Sequence, residues 1–174
     1  MIYPINSNGD LNFIAIMKHK MSSEDQKNYS LFTKDTFIKN ILEKIPPAMK
    51  DITNNLDSIR IFPVFVSDNY YKLQNKNIHL IGDAFFAFPP SFAQGASQSI
   101  EGAYELFENI KNNTEANFLN NRLNKTKMIN NRSKLNQFAF HLSNPLTIFF
   151  RNYLLKKLVK NEKFLETYLG KIYK

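Results

Sequence analysis

The sequence predicts a mixed α/β fold made of a short strand pair, a strand-turn-helix unit and long helices. First, two apolar runs flank the turn segment 6–10, which is rich in Asn, Gly and Asp. Second, a short apolar run ends in Gly82-Asp83 and is followed by a helical pattern that begins near Gly95. Third, apolar residues recur at helical spacing in the region that follows Thr114.

The amino-terminal region predicts a hairpin and then a helix. Residues 3–5 and 11–17 are the expected hairpin strands. Residues 36–45 predict a helix with one apolar face, which ends at two prolines. Residues 59–66 predict a strand, and Pro63 within it places that strand at an edge or a bulge.

The segment between residue 77 and Gly95 carries the most informative pattern. The apolar run 77–81 predicts a buried strand, and Asp83 would stand at its carboxyl end, where open α/β sheets bind ligands. Gly95 lets backbone approach closely at a helix amino terminus, where N–H groups and the macrodipole attract negative charge. Taken alone, Gly82-Asp83 favours an ordinary strand-ending turn, because both residues are common in turns.

The spacing of the short motifs in this segment is a more specific signal than the dipeptide Gly82-Asp83 alone. The elements in order are Gly82-Asp83-Ala84, Pro90, Ala93-Gln94-Gly95-Ala96 and Ile100-Glu101. They resemble the second flavin motif of the FAD-dependent aromatic hydroxylases, the group A flavoprotein monooxygenases that include salicylate hydroxylase-like and ubiquinone-pathway members. The family often has a histidine at the position of Phe86, so a polar contact near the flavin is missing here.

The resemblance implies a set of cofactor contacts and a reaction. Asp83 would bind a ribityl hydroxyl, Pro90 would line the flavin face, and the backbone N–H groups of Gln94 to Ala96 would meet the pyrimidine edge. The implied cofactor-binding residues are Gly82, Asp83, Pro90, Gln94, Gly95 and Ala96. The implied activity is an NAD(P)H-using, FAD-dependent hydroxylation of a small aromatic or quinone-precursor substrate, with no catalytic residue identified.

The resemblance also implies that part of the enzyme is absent from this chain. The chain has five glycines and no Gly-x-Gly-x-x-Gly fingerprint for the FAD pyrophosphate. We therefore expect the carboxyl-terminal half of a truncated or split flavoprotein, with a complementary amino-terminal half as partner. Residues 1–66 would belong to the substrate-domain sheet, 67–110 to a Rossmann-like FAD domain, and 111–174 to terminal helices.

The helices after the motif carry further expectations. Residues 97–109 predict a helix that buries four side chains: Ile100, Ala103, Tyr104 and Phe107. Residues 114–137 predict a long surface helix on which Arg122 and Arg132 are either solvated, as exposed arginines usually are, or facing an acidic partner or phosphate. From Pro145 onward the sequence is amphipathic and basic, which favours a core helix or, as the alternative, a surface that rests on anionic lipid.

Composition excludes several classes of function. The net charge is +8, but the basic residues are spread among many Asn and Ile, so codon bias explains the charge and no nucleic-acid partner is expected. With no cysteine and scattered histidines, no metal site is expected. No apolar run is long enough for a membrane span, so we expect a soluble or peripheral protein. The absence of cysteine fits a reducing cytoplasm, and we expect a cytoplasmic protein with peripheral contact at the inner membrane as an option.

Alternatives to the hydroxylase remain open. A flavin reductase or halogenase would share the ancestry, although the absence of tryptophan removes the motif typical of halogenases. A non-catalytic flavoprotein remnant, or a basic module that binds a membrane or partner, would not need a flavin.

Overall fold

A computed structural model describes residues 1–56, 59–70 and 78–172. The chain forms two compact units, Met1–Pro63 and Val64–Lys174. It is mostly helical and contains one small antiparallel sheet in its described part, which agrees with a mixed α/β class. A Rossmann-like arrangement stays a prediction.

The predicted hairpin is confirmed at the start of the first unit. Strands β1 (Ile2–Pro4) and β2 (Leu11–Phe13) pair antiparallel, and Ile2 lies opposite Phe13. The turn between them is closed by the Asn6 side chain, whose Oδ1 accepts hydrogen bonds from the backbone N–H of Asn8 and Asp10. The second strand ends earlier than the predicted residue 17.

The predicted helix of the first unit is also confirmed. Helix α1 (Asp35–Glu43) buries Ile41, and Ile45 is buried just beyond its end. Phe37 on α1 meets the buried Phe32 ring edge-on, with centroids 5.6 Å apart. A short helix α2 (Lys50–Asn54) follows the prolines that stop α1.

The second unit is built from four helices in its described residues. They are α3 (Gly95–Lys111), α4 (Glu115–Phe140), α5 (Pro145–Leu158) and α6 (Glu162–Tyr168). Short 3-10 turns at Gly82–Ala84 and Pro90–Phe92 pack on α3 and α4, respectively. The core side chains are apolar residues from these parts and from the last described turn: Phe85, Phe86, Phe118, Ile129 and Ile172.

Two strand predictions are wrong. Neither residues 59–66 nor residues 78–81 form a hydrogen-bonded strand pair with another described segment, and residue 77 lies outside the described residues. The backbone of Ile81 is extended, but no described segment pairs with it as a strand, and its side chain is 40% exposed. An apolar run becomes a strand only when a partner satisfies its backbone groups, which the sequence pattern does not reveal.

Helix α3 forms where it was predicted but buries the opposite face. Ile100 is 73% exposed and Phe107 is 59% exposed, and Ala103 and Tyr104 are exposed as well. The buried positions are Gln98 and Gly102. The predicted core face of α3 is therefore wrong for the described chain, because polar contacts to α4 hold the other face inside.

The expectations for α4 and α5 also need correction. Helix α4 is not a solvated surface helix, because it buries one continuous row of side chains: Phe118, Arg122, Thr126, Ile129, Asn130 and Ser133. Helix α5 has no buried residue, so the interpretation of the region from Pro145 onward as a core element is wrong for α5. The last part of the chain does pack inward, since Tyr168 of α6 contacts α4 and Ile172 is fully buried.

We predict that Phe86→Ala and Phe107→Ala differ sharply in stability. Phe86 is 1% exposed and stacks on Tyr70 at 4.9 Å, so truncation should lower the free energy of unfolding by about 3–5 kcal/mol. Phe107 is mostly exposed, so its truncation should change that energy by less than ~0.5 kcal/mol. Urea unfolding followed by far-ultraviolet circular dichroism measures both, and equal losses would contradict this assignment of the core.

Candidate functional site

The turn at Gly82–Ala84 lies directly against helix α3. Gly82 has φ +58°, and a Cβ atom on it would stand 2.8 Å from Ser99 Oγ. Only glycine combines this left-handed backbone with so close an approach. The turn is closed by the backbone N–H groups of Phe85 and Phe86, which both donate to the carbonyl of Gly82 at 3.0 Å.

Asp83 is displayed at the surface of this turn. Its side chain is exposed, while Phe85 and Phe86 just after it are buried. Phe86 has a packing role, since its ring lies in the core between Tyr70 and Phe88.

The segment that leads into α3 contains a 3-10 turn and a left-handed residue. Pro90 is exposed and begins a 3-10 turn that ends at Ala93, whose φ is +50°. Gln94 is 6% exposed, and its Oε1 accepts a 3.4 Å hydrogen bond from Gln98 Nε2. The Gln94 side chain therefore points into the protein.

The amino terminus of α3 is open. The side chain of the N-cap residue Gln94 makes no capping hydrogen bond, and a Cβ atom on Gly95 would meet no atom of the described residues within 4 Å. The N–H groups of Gly95, Ala96 and Ser97 have no acceptor within the helix, because the i−4 ladder starts only at Gln98. A 17-residue helix adds the positive end of its macrodipole at this point.

A buried cation holds α3 in place. Arg122 on α4 is 4% exposed. Its Nη2 donates to the Gln98 carbonyl at 3.1 Å and to Gln98 Oε1 at 3.0 Å. Its Nη1 donates to Glu101 Oε1 at 3.2 Å and to Glu105 Oε2 at 3.3 Å. Lys125 forms a further ion pair with Glu101.

This cluster corrects the solvated interpretation of Arg122. The planar guanidinium spreads its donors over three side chains on successive turns of α3, which an ammonium could not do with the same geometry. Gly102 leaves room for it, since a Cβ atom there would already be in van der Waals contact with the guanidinium at 3.5 Å. The signal in the sequence was the pair Glu101 and Glu105, one helical turn apart.

Three buried polar side chains continue the same face of α4. Thr126 Oγ1, Asn130 Oδ1 and Ser133 Oγ have no hydrogen-bond partner among the described residues. Thr126 also lines a narrow cavity of about 10 Å³ together with Gly82 and Gly95, which is room for about one water molecule. Ser91 Oγ donates to the Ser133 carbonyl at 2.6 Å and so fixes the Pro90 turn to α4.

Arg132 has contacts within the protein as well. Its Nη2 donates to the Thr167 carbonyl at 3.1 Å, and its guanidinium lies 5.1 Å from the centre of the Tyr168 ring. The Tyr168 hydroxyl donates to Asn136 Oδ1 at 3.0 Å. Burial raises the pKa of Tyr168, and the charge of Arg132 opposes that shift. Arg132 thus fastens α6 to α4, whatever else it contacts.

Comparisons with known proteins give no assignment: no protein-family model matches the chain, and no curated protein or solved structure matches it. The described residues hold no group of acidic, histidine or cysteine side chains suited to a metal ion. No helix within the described ranges has the length and apolar character to cross a membrane.

We predict that Arg122→Met destabilises the second unit much more than Lys127→Met on the same helix. The first change removes the hydrogen bonds from the guanidinium to Glu101 and Glu105 and both bonds to Gln98, while Glu101 keeps its ion pair with Lys125, so the free energy of unfolding should fall by about 2–4 kcal/mol. Lys127 is exposed, and its change should cost less than ~0.5 kcal/mol. Chemical denaturation measures both, and a small loss for Arg122→Met would show that the buried cluster does not hold the two helices.

Proposed function

We propose that residues 82–96 form part of the FAD site of an NAD(P)H-using flavoprotein monooxygenase. The proposal rests on one observation above all. The turn that displays Asp83 packs against α3, and the amino terminus of that helix is uncapped and open at Gly95. A carboxylate and a row of backbone donors are thus carried by two elements in direct contact.

The chemistry of these groups suits a flavin. A carboxylate accepts hydrogen bonds from hydroxyl groups, as the ribityl chain would supply to Asp83. Backbone N–H groups at a helix amino terminus stabilise negative charge, which the reduced flavin carries on its pyrimidine edge. When bound, the flavin would supply electron transfer and oxygen activation, while the chain would position the ring and stabilise that charge.

The open surface of α3 supports the expected partner. Ile100, Tyr104 and Phe107 form an apolar, exposed face on the side of the helix that points away from Arg122. A helix face with several large apolar side chains is normally covered by another part of a protein. We propose that a complementary amino-terminal half, which would carry the pyrophosphate site and complete a Rossmann-like FAD domain, covers this face.

The substrate class follows only from the family resemblance. We propose a small aromatic or quinone-type substrate, held by the first unit, in a cytoplasmic enzyme.

We predict that flavin mononucleotide, which has the ring and ribityl chain but no adenosine, binds weakly and locally. In a titration followed by amide chemical shifts, the largest changes should fall on Gly95, Ala96 and Asp83. Asp83→Ala should weaken binding about tenfold to a hundredfold, the value of one hydrogen bond to a charged group. Asp51→Ala, which removes an exposed carboxylate of the first unit, is the control.

Two results of this titration would contradict the flavin site. One is an absence of saturable shifts at the start of α3. The other is equal affinity for the chain and for Asp83→Ala.

We predict that Gly95→Val weakens flavin binding without loss of stability. Its side chain would enter open space, since nothing lies within 4 Å of the Cβ position, but it would hold a planar ring away from the N–H groups. The thermal midpoint should stay within a few degrees, and the mononucleotide affinity should fall at least ~tenfold. Ala103→Val on the exposed face of α3 is the matched control, and retained binding by Gly95→Val would remove this helix from the site.

A further inference from the structure

Helix α5 presents an unusually apolar face to solvent. Leu146, Phe149, Phe150 and Tyr153 are 70%, 65%, 65% and 53% exposed, and we call this set the aromatic face. Their spacing of three and four residues places them on one side of the helix. The other side is less exposed, and Arg151 on it donates from Nη1 to the Ala139 carbonyl of α4 at 3.0 Å.

The aromatic face continues into a basic turn. Lys156, Lys157 and Lys160 follow Tyr153 at helical spacing, and all three are exposed. Lys157 Nζ lies 4.8 Å from the centre of the Tyr153 ring, so ammonium and aromatic groups lie side by side. Residues 145–163 contain five basic residues and one acidic residue, Glu162. The surface therefore combines strong positive charge with large apolar side chains.

We propose that the aromatic face and the adjacent lysines dock on an anionic phospholipid surface. A headgroup layer supplies the opposite charge to the lysines, and the region below it accepts Phe, Leu and Tyr side chains. A second copy of the chain would instead bring the same positive charge to the contact. The helix has 14 residues and is about 21 Å long, too short to cross an apolar layer of about 30 Å, so it would lie in the plane of the surface.

This inference is independent of the flavin proposal, because vesicle binding is measured without flavin. The test is co-sedimentation of the full chain with vesicles of phosphatidylcholine alone or with about 30 mol % phosphatidylglycerol. The chain should bind the anionic vesicles and not the neutral ones. Added salt should weaken the binding, because it screens the lysines.

Two variants separate the contribution of the aromatic side chains from that of the lysines. Phe149→Ser with Phe150→Ser should lower the partition coefficient at least ~tenfold through lost apolar burial. Lys156→Gln, Lys157→Gln and Lys160→Gln together should lower it about tenfold to a hundredfold. Phe107→Ser, an equally exposed phenylalanine on α3, should leave it unchanged. Circular dichroism checks that each variant keeps its helices.

Three outcomes would overturn the lipid proposal. The chain would bind neither kind of vesicle, or it would bind both equally, or Phe107→Ser would lose as much binding as the α5 variants. If the chain instead sediments as a dimer that Phe149→Ser and Phe150→Ser dissociate, and does not bind vesicles, the occupant of the aromatic face is a second copy.

Discussion

The packing of α3 on α4 in the second unit depends on the hydrogen bonds of the buried Arg122 guanidinium. A charge at 4% exposure is tolerated only when its donors have acceptors, and Gln98, Glu101 and Glu105 supply them along one side of α3. This requirement selects which side of α3 faces α4. The rotation of α3 about its axis then fixes both the position of Gly95 and the exposure of the apolar side.

Gly82, in the turn that packs on α3, and Gly95, the first residue of α3, have different surroundings. Gly82 is required by crowding and by its positive φ, since its turn sits on Ser99 with no room for a side chain. Gly95 has open space and an ordinary helical backbone, so packing does not explain it. A glycine in open space at a helix amino terminus is compatible with the close approach of a ligand that we propose for this position.

Among the exposed apolar surfaces of the described residues, the exposed side of α3 and the aromatic face of α5 differ in charge. The exposed side of α3 carries Ile100, Tyr104 and Phe107, whereas the aromatic face of α5 ends in three lysines. An apolar helix face with little charge fits the interior of a larger protein, and an aromatic face bordered by ammonium groups fits an anionic surface. The two surfaces therefore suit different partners.

The sequence by itself determined the hairpin turn, the helix at 36–45 and the starts of α3 and α4. These features depend on turn residues, prolines and helical spacing, which act over a few residues. The same patterns misjudged the strands at 59–66 and 78–81 and the buried sides of α3 and α5. Pairing and burial depend on partners distant in the chain. Only the tertiary structure brought Arg122 to Glu101 and Glu105 across 21 and 17 residues, and that desolvated charge, rather than apolar periodicity, decided which side of α3 is inside.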